Sequence, residues 1–233
     1  MSVIRSTEIV IPVQRAALPG ILNIPTGAHG IIAFAHGSGS SRFSSRNRSV
    51  AQELNQSGFA TLLFDLLNAE ENVRDNLTAE YRFDITMLAR RLIQAVDWLS
   101  QAPETGGLPV GLFGASTGAA AALIAATERP LRVKAVVSRG GRVDLADVSL
   151  PKVRAPTLLV VGELDHQVIN LNKQAAAQLS CEHQLVLVPG ATHLFEELGA
   201  LERVSMLADD WFTRHLAPHP RLTHAAASAY IEN

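Results

Sequence analysis

With Cys181 as its one cysteine, the chain can form no intrachain disulfide and no cysteine-ligated zinc or iron–sulfur site. That usage fits a reducing compartment, and the expected location is cytoplasmic. Excess charge is also missing: Lys plus Arg number 20 and Asp plus Glu 22, a formal net charge of -2. Such a balance leaves no electrostatic footprint for nucleic acid or for an anionic membrane surface. The longest greasy segment, around Gly118 to Ala126, is far shorter than the roughly 20 residues that cross a bilayer. The start, Met1 to Glu8, lacks the basic region and apolar stretch of a secretory leader. Neither a nucleic-acid nor a membrane partner is expected, and oligomeric state is left open. No repeat or linker interrupts the chain, which predicts one domain over 1–216 and a weakly periodic C-terminal tail over 217–233.

What is present is a hydrophobic content of 47%, enough for a substantial core. Glu8 to Gln14 alternates and is β-branched, and Ala16 to Pro25 is a second apolar stretch, so the two predict an opening antiparallel pair. Short, nearly continuous apolar runs follow at Gly30 to Ala35, Ala60 to Leu66, Val110 to Ala115, Val133 to Ser138, Thr157 to Val161 and Gln184 to Val188. Between them lie amphipathic or alanine-rich segments predicting helices over Ser44 to Gln56, Phe83 to Ser100, Thr117 to Glu128, Asn170 to Leu179 and Glu197 to Leu216. This alternation is the signature of an α/β protein with a mostly parallel sheet of about eight strands between helices.

Gly114-Ala115-Ser116-Thr117-Gly118 is a GxSxG string. By chance alone it arises in a chain this size with odds of somewhat under about one in ten, so its placement carries the weight. It joins the buried run ending at Ala115 to the helix starting at Thr117, where a sharp strand-to-helix turn lifts a serine hydroxyl above the sheet. The plainer use of Ser116 is as a helix N-cap. A serine hydroxyl attacks poorly unless a base takes its proton. Among eight histidines, His193 in Pro189 to Phe195 lies past the last strand, where such a base belongs. Its imidazole needs a carboxylate to hold its tautomer. Asp165, after the run Thr157 to Val161, fits that need, with Glu163 as its rival and helix capping as its plain use. The order Ser116, Asp165, His193 is the order of this kind of triad.

An oxyanion formed at the attacked carbonyl needs two backbone N–H donors. Thr117, directly after the nucleophile, is one. The loop His36 to Ser41 supplies the other, from Ser38 or from the neighbouring Gly39, with His36 as a structural hydrogen-bonding residue. Arg42 and Arg139 are candidate substrate-binding residues for a carboxylate, against a competing use in structural ion pairs. Asp65 is expected to brace a loop. Glu70, Glu71 and the polar stretch to Arg82 predict a solvated loop at the rim and no metal site. No metal or organic cofactor is expected.

The strings HGSGSSR (His36 to Arg42), FDLLNAEE (Phe64 to Glu71), FGASTGAAAAL (Phe113 to Leu123), VVSRGGRVDLA (Val136 to Ala146), VRAPTLLVVGELD (Val153 to Asp165) and VPGATHLFEE (Val188 to Glu197) resemble the dienelactone-hydrolase-related α/β hydrolases. They are most similar to the branch also found fused behind phosphoribosyltransferase domains. The likeness runs to about Leu216, whereas Met1 directly precedes the hydrolase portion, so the fusion carries no expectation about nucleotide metabolism. It implies the α/β-hydrolase fold and the triad Ser116, Asp165 and His193. Dienelactone hydrolases proper use a cysteine nucleophile, and Ser116 stands in the matching position. In this architecture a cap often enters after the sixth strand, and the short stretch between Gly141 and Pro156 implies no large lid. The expectation is a serine hydrolase cleaving a carboxylic ester, lactone or thioester of a small acyl substrate. An acyltransferase or perhydrolase on the same triad, and a non-catalytic binding protein of the same fold, are the alternatives.

Overall fold

The computed structural model describes residues 3–14 and 16–216. The expected tail, 217–233, lies outside them. The opening pair forms as β1 (Ile4–Val13) and β2 (Ala16–Pro25), antiparallel from Ile4 opposite Pro25 to Val13 opposite Ala16. β1 begins ahead of Glu8 because the edge hairpin keeps pairing through its polar residues. The continuous apolar runs then become strands whose residues are nearly all buried: β3 (Gly30–Ala35), β4 (Phe59–Phe64), β5 (Val110–Ala115), β6 (Val133–Arg139) and β7 (Thr157–Gly162). β8 (His183–Val188) closes the sheet as a half-exposed edge. The spatial order is β1-β2-β4-β3-β5-β6-β7-β8. β2 meets β4 antiparallel, and every pair from β4 onward is parallel.

Helices cover both faces, as a parallel sheet requires. On one face lie α3 (Ile85–Gln101) and α4 (Thr117–Glu128), packed on Ala33, Leu62, Leu112 and Val136. On the other lie α1 (Ser45–Gln56) and α6 (Ala200–Leu216), where Val50, Leu54, Trp211 and Phe212 cover Phe34, Phe113 and Val137. Alternate residues of one strand therefore feed two separate cores. α4 is buried on nearly all sides, from Thr117 to Ala126, which its run of small alanines permits. α5 (His166–Ala176) starts four residues before the expected Asn170, immediately after Asp165.

The stretch read as a solvated rim loop is a helix, α2 (Ala69–Thr78). Its driving force is local. Asn68 Oδ1 accepts from the Glu71 N–H while Glu71 Oε2 accepts from the Asn68 N–H, a reciprocal capping box. Glu71 also clamps the buried Arg91 of α3 through both carboxylate oxygens. Between β6 and β7 the chain makes ten residues of 3-10 turns, Val143–Lys152, kinked at Asp147 where φ is 35°. No lid domain is built there. Among the described residues no helix is long and apolar enough to cross a membrane.

Candidate active site

Ser116 ends β5 and precedes α4 with φ 50° and ψ -121°. A residue with a side chain rarely adopts that backbone, at a cost of about 1–3 kcal/mol. The turn is stitched on both sides: Ser116 N–H donates to Arg139 O at 3.1 Å, and Ser116 O accepts from Ala119 N–H at 3.1 Å and Arg142 N–H at 3.0 Å. The flanking glycines are steric necessities. A Cβ on Gly114 would lie 2.4 Å from Ala119 Cα, and one on Gly118 would lie 2.2 Å from Ala35 O.

Ser116 holds the N-cap position of α4, yet its side chain makes no capping bond. Asp165 holds the same position on α5 and likewise does not cap. Ser44, Asn68 and Asp84, at the starts of α1, α2 and α3, all do. The two side chains that withhold their oxygens from a helix are thus the two expected to do chemistry. Asp165 Oδ2 instead accepts from His193 Nδ1 at 2.6 Å.

The loops bearing acid and base are zipped together around that bond. Glu163 N–H donates to Val188 O at 3.0 Å, Leu164 N–H donates to Ala191 O at 2.9 Å, and Gly190 N–H donates to Glu163 Oε2 at 2.9 Å. Glu163, the rival acid, is therefore spent on holding the histidine loop. Glu197 adds a second brace, accepting from Thr192 N–H at 3.1 Å and Thr192 Oγ1 at 2.6 Å. The imidazole lies against bare backbone at Gly140: a Cβ there would stand 3.5 Å from His193 Nδ1 and Cε1. Gly140 follows Arg139, whose carbonyl holds Ser116, so the end of β6 brings base and serine to one rim. No hydrogen bond joins Ser116 Oγ to His193 in this structure.

The loop after β3 packs directly on the turn, since a Cβ on Gly37 would lie 3.0 Å from Ser116 Cβ. His36 is the brace behind it. Its Nε2 accepts from Leu66 N–H at 3.0 Å, leaving Nδ1 to donate to Gly37 O at 3.0 Å. Burial lowers its pKa, and neither the Gly37 bond nor Asp65 offsets that, so the ring is held neutral. Ser38 and Thr117 meet through their side chains, Oγ to Oγ1 at 3.0 Å, and Ser38 Oγ donates onward to Arg82 O at 3.3 Å. Their backbone N–H groups donate to no backbone acceptor among the described residues.

This hydroxyl link, and what anchors it, is invisible in the sequence. Asp75 accepts from the N–H groups of Tyr81 and Arg82 and from Arg82 Nε, all at 2.8–2.9 Å. Burial pushes the Asp75 pKa up, but those donors outweigh it and hold the carboxyl below its usual range. Nothing in the local sequence marks Asp75 for burial or Arg82 for the loop after β3. Between the His36–Ser40 loop and Leu66, Leu67, Asn72 and Arg82 lies only a narrow crevice of about 10 Å³.

Arg42 does not point freely into the site: its guanidinium pairs with Asp65, whose Oδ1 also accepts the Arg42 N–H at 2.6 Å. Arg139 is buried, with no partner for its Nη1. Among the described residues no three His, Cys, Asp or Glu side chains stand together as metal ligands.

Comparison with known proteins agrees with this architecture. Residues 18–211 match the model of the dienelactone hydrolase family. A dienelactone hydrolase from Anabaena variabilis is 55% identical over 91% of this chain and 99% of its own, with a TM-score of 0.90. Two Mycobacterium tuberculosis proteins carrying the provisional name phosphoribosyl transferase are 54% identical over 91% of this chain. The chain spans about half the length of these relatives, 47%. Est1E from Butyrivibrio proteoclasticus shares the fold at 16% identity, with a TM-score of 0.75 over 89% of this chain and 98% of its own. The chain belongs to the dienelactone hydrolase family and has the α/β-hydrolase fold.

Proposed function

We propose that the chain is a serine hydrolase acting on a carboxylic ester, lactone or thioester of a small acyl substrate. The observation that carries the reading is the Asp165–His193 bond of 2.6 Å beside a serine in a strained turn whose hydroxyl caps nothing. In this reading Ser116 Oγ attacks the acyl carbonyl while His193 Nε2 takes the serine proton. Asp165 steadies the imidazolium that forms. The N–H groups of Ser38 and Thr117 receive the oxyanion of the tetrahedral intermediate. Collapse expels the alkoxide, alcohol or thiol portion with the proton from His193, and leaves an acyl ester on Ser116. Water, deprotonated by His193, then releases the acid and restores the serine. The contact between hydroxyl and imidazole closes when substrate fills the site, as catalytic hydrogen bonds commonly do.

A fluorophosphonate probe tests this directly. Wild type is expected to label, and Ser116→Ala is expected to label not at all and to lose about 10⁴-fold or more of its turnover of a short-chain p-nitrophenyl ester. Retained labelling or turnover in that variant removes Ser116 from its role, and an unlabelled wild type supports a non-catalytic protein of this fold. Products formed with added alcohol or peroxide separate hydrolysis from acyl transfer. Phosphoribosyl transfer, suggested by the names of the longer relatives, has no counterpart in this site chemistry.

A further inference from the structure

Asn172 is a buried polar side chain that the mechanism above does not use. It lies inside α5, fully buried, two turns past Asp165. Asparagine is a weak helix former in such a place, because its amide competes with the backbone. Its Nδ2 donates to Val168 O at 2.8 Å, within the helix, and to Gly141 O at 2.8 Å, just past the end of β6. Both partners are carbonyls, so the surroundings fix which end of the amide is the nitrogen. Its Oδ1 is buried with no partner, and a buried acceptor left unpaired lowers stability. An apolar side chain of the same size would avoid that loss, so what Asn172 contributes is its pair of donors.

The bond to Gly141 ends in the segment on which serine and imidazole both rest. Arg139 O accepts from Ser116 N–H at 3.1 Å, and Arg142 N–H donates to Ser116 O at 3.0 Å, so Gly140 and Gly141 lie between the two clamps of the nucleophile turn. Gly140 N–H donates to Val160 O at 2.8 Å, and its bare α-carbon faces the His193 ring. Gly141 packs closely on Ser138 and Ala119, where a Cβ would lie 2.0 Å from Oγ of the first and 2.6 Å from Cβ of the second. At its other end α5 begins directly after Asp165, whose carboxylate holds His193 Nδ1 at 2.6 Å. Asn172 thus ties the helix behind the acid and base to the strand end behind the serine.

We propose that Asn172 is a positioning residue that sets the separation between Ser116 and the Asp165–His193 pair by pinning α5 to Gly141. The proposal rests on the hydrolase reading above. The serine proton crosses from Oγ to Nε2 only when the two atoms come within hydrogen-bond reach, and a misplacement of about 1 Å costs about 100-fold in rate. Loss of the pin is therefore read in kcat, and KM changes little because the fully buried Asn172 does not touch substrate.

Three variants test this against wild type. Asn172→Leu keeps the volume and removes both donors. Asn172→Thr has a single O–H that returns to Val168 O inside the helix, as threonine does, and leaves Gly141 O without a donor. Ala175→Gly loosens the same helix at another buried position and touches neither bond. The readouts are kcat and KM for p-nitrophenyl acetate, the rate of fluorophosphonate labelling, and amide hydrogen exchange at Arg142, whose N–H holds Ser116 O. All are taken at a temperature where circular dichroism shows each protein folded. In both Asn172 variants kcat and labelling rate are expected to fall at least about tenfold, with KM within about twofold of wild type. Arg142 exchange is expected to speed up by about tenfold or more. In Ala175→Gly only Tm falls.

The proposal is overturned if folded Asn172 variants keep wild-type kcat, or if Ala175→Gly loses kcat to the same extent. It is overturned as well if neither Asn172 variant folds, since Asn172 then serves the fold alone. A wild type that neither turns over nor labels defeats the hydrolase reading instead. The Arg142 exchange then decides whether Asn172 holds the serine turn, and an unchanged rate overturns that too.

Discussion

At the scale of single residues, the site is recognisable by what side chains decline to do. A serine or aspartate at a helix N-cap ordinarily gives its oxygen to the first turn, a bond worth about 1 kcal/mol. Ser116 and Asp165 forgo it. Asp165 exchanges it for the imidazole of His193, and this makes a sharp expectation. Asp165→Asn preserves the shape of the carboxyl but favours the wrong imidazole tautomer, so kcat for an activated ester is expected to fall about 10⁴-fold. Glu163→Gln, which touches only the Gly190 amide, is expected to fall far less. Steady-state kinetics on the two purified variants rank the two acids, and equal losses assign the acid role to neither.

Elements matter where they hold loops still. α2 exists because of one capping box, and through Asp75 it fixes Tyr81 and Arg82, whose carbonyl receives the Ser38 hydroxyl. Asn68→Ala removes the side-chain acceptor at the head of that helix. A loss of about 1 kcal/mol is expected, which for a domain of this size lowers Tm by roughly 2–4 °C. Because the same helix supports the loop after β3, kcat is expected to drop in that variant as well. Calorimetry and ester kinetics on one preparation check both, and an unchanged Tm would show that α2 stands without its cap.

For the molecule as a whole, buried titratable groups set the response to acid. His36 is held neutral with its pKa below 6.5, chiefly by burial, and His215 is shifted the same way by burial, with Arg214 adding to it. As pH falls below 6.5 the unfolded chain takes protons that the folded chain refuses, so stability present in full above that value declines beneath it. Asp75 and Glu71 are shifted below 3.8 and 4.5 by their donors, against the opposing push of burial. Their contribution is present above those values and is lost as pH falls through the folded pKa. Urea unfolding is therefore expected to show lower stability at about pH 5.5 than at about pH 7.5, with His36→Gln narrowing the gap. A variant with the full wild-type gap would clear His36 of responsibility.

The α/β architecture was legible because its strands are buried on both faces. Burial on both faces demands unbroken apolar runs such as Gly30 to Ala35 and Val110 to Ala115, and these match β3 and β5 residue for residue. The string from Gly114 to Gly118 was legible because backbone crowding at the turn tolerates nothing larger than glycine at both ends. α2 reads as a loop because its stability lies in side-chain bonds at its ends, and its few apolar residues, Val73 and Leu77 among them, stay exposed and bury no stripe against the core. The sequence by itself determined the sheet, the sharp turn and the residue types capable of nucleophilic chemistry, all of which follow from local periodicity and sterics. Only the tertiary structure decided that Asp165 and not Glu163 reaches His193, that Arg42 is taken by Asp65, and that Arg139 is left without a counter-charge. The first two of those pairings join residues 28 and 23 apart in the chain, a reach that no local pattern encodes.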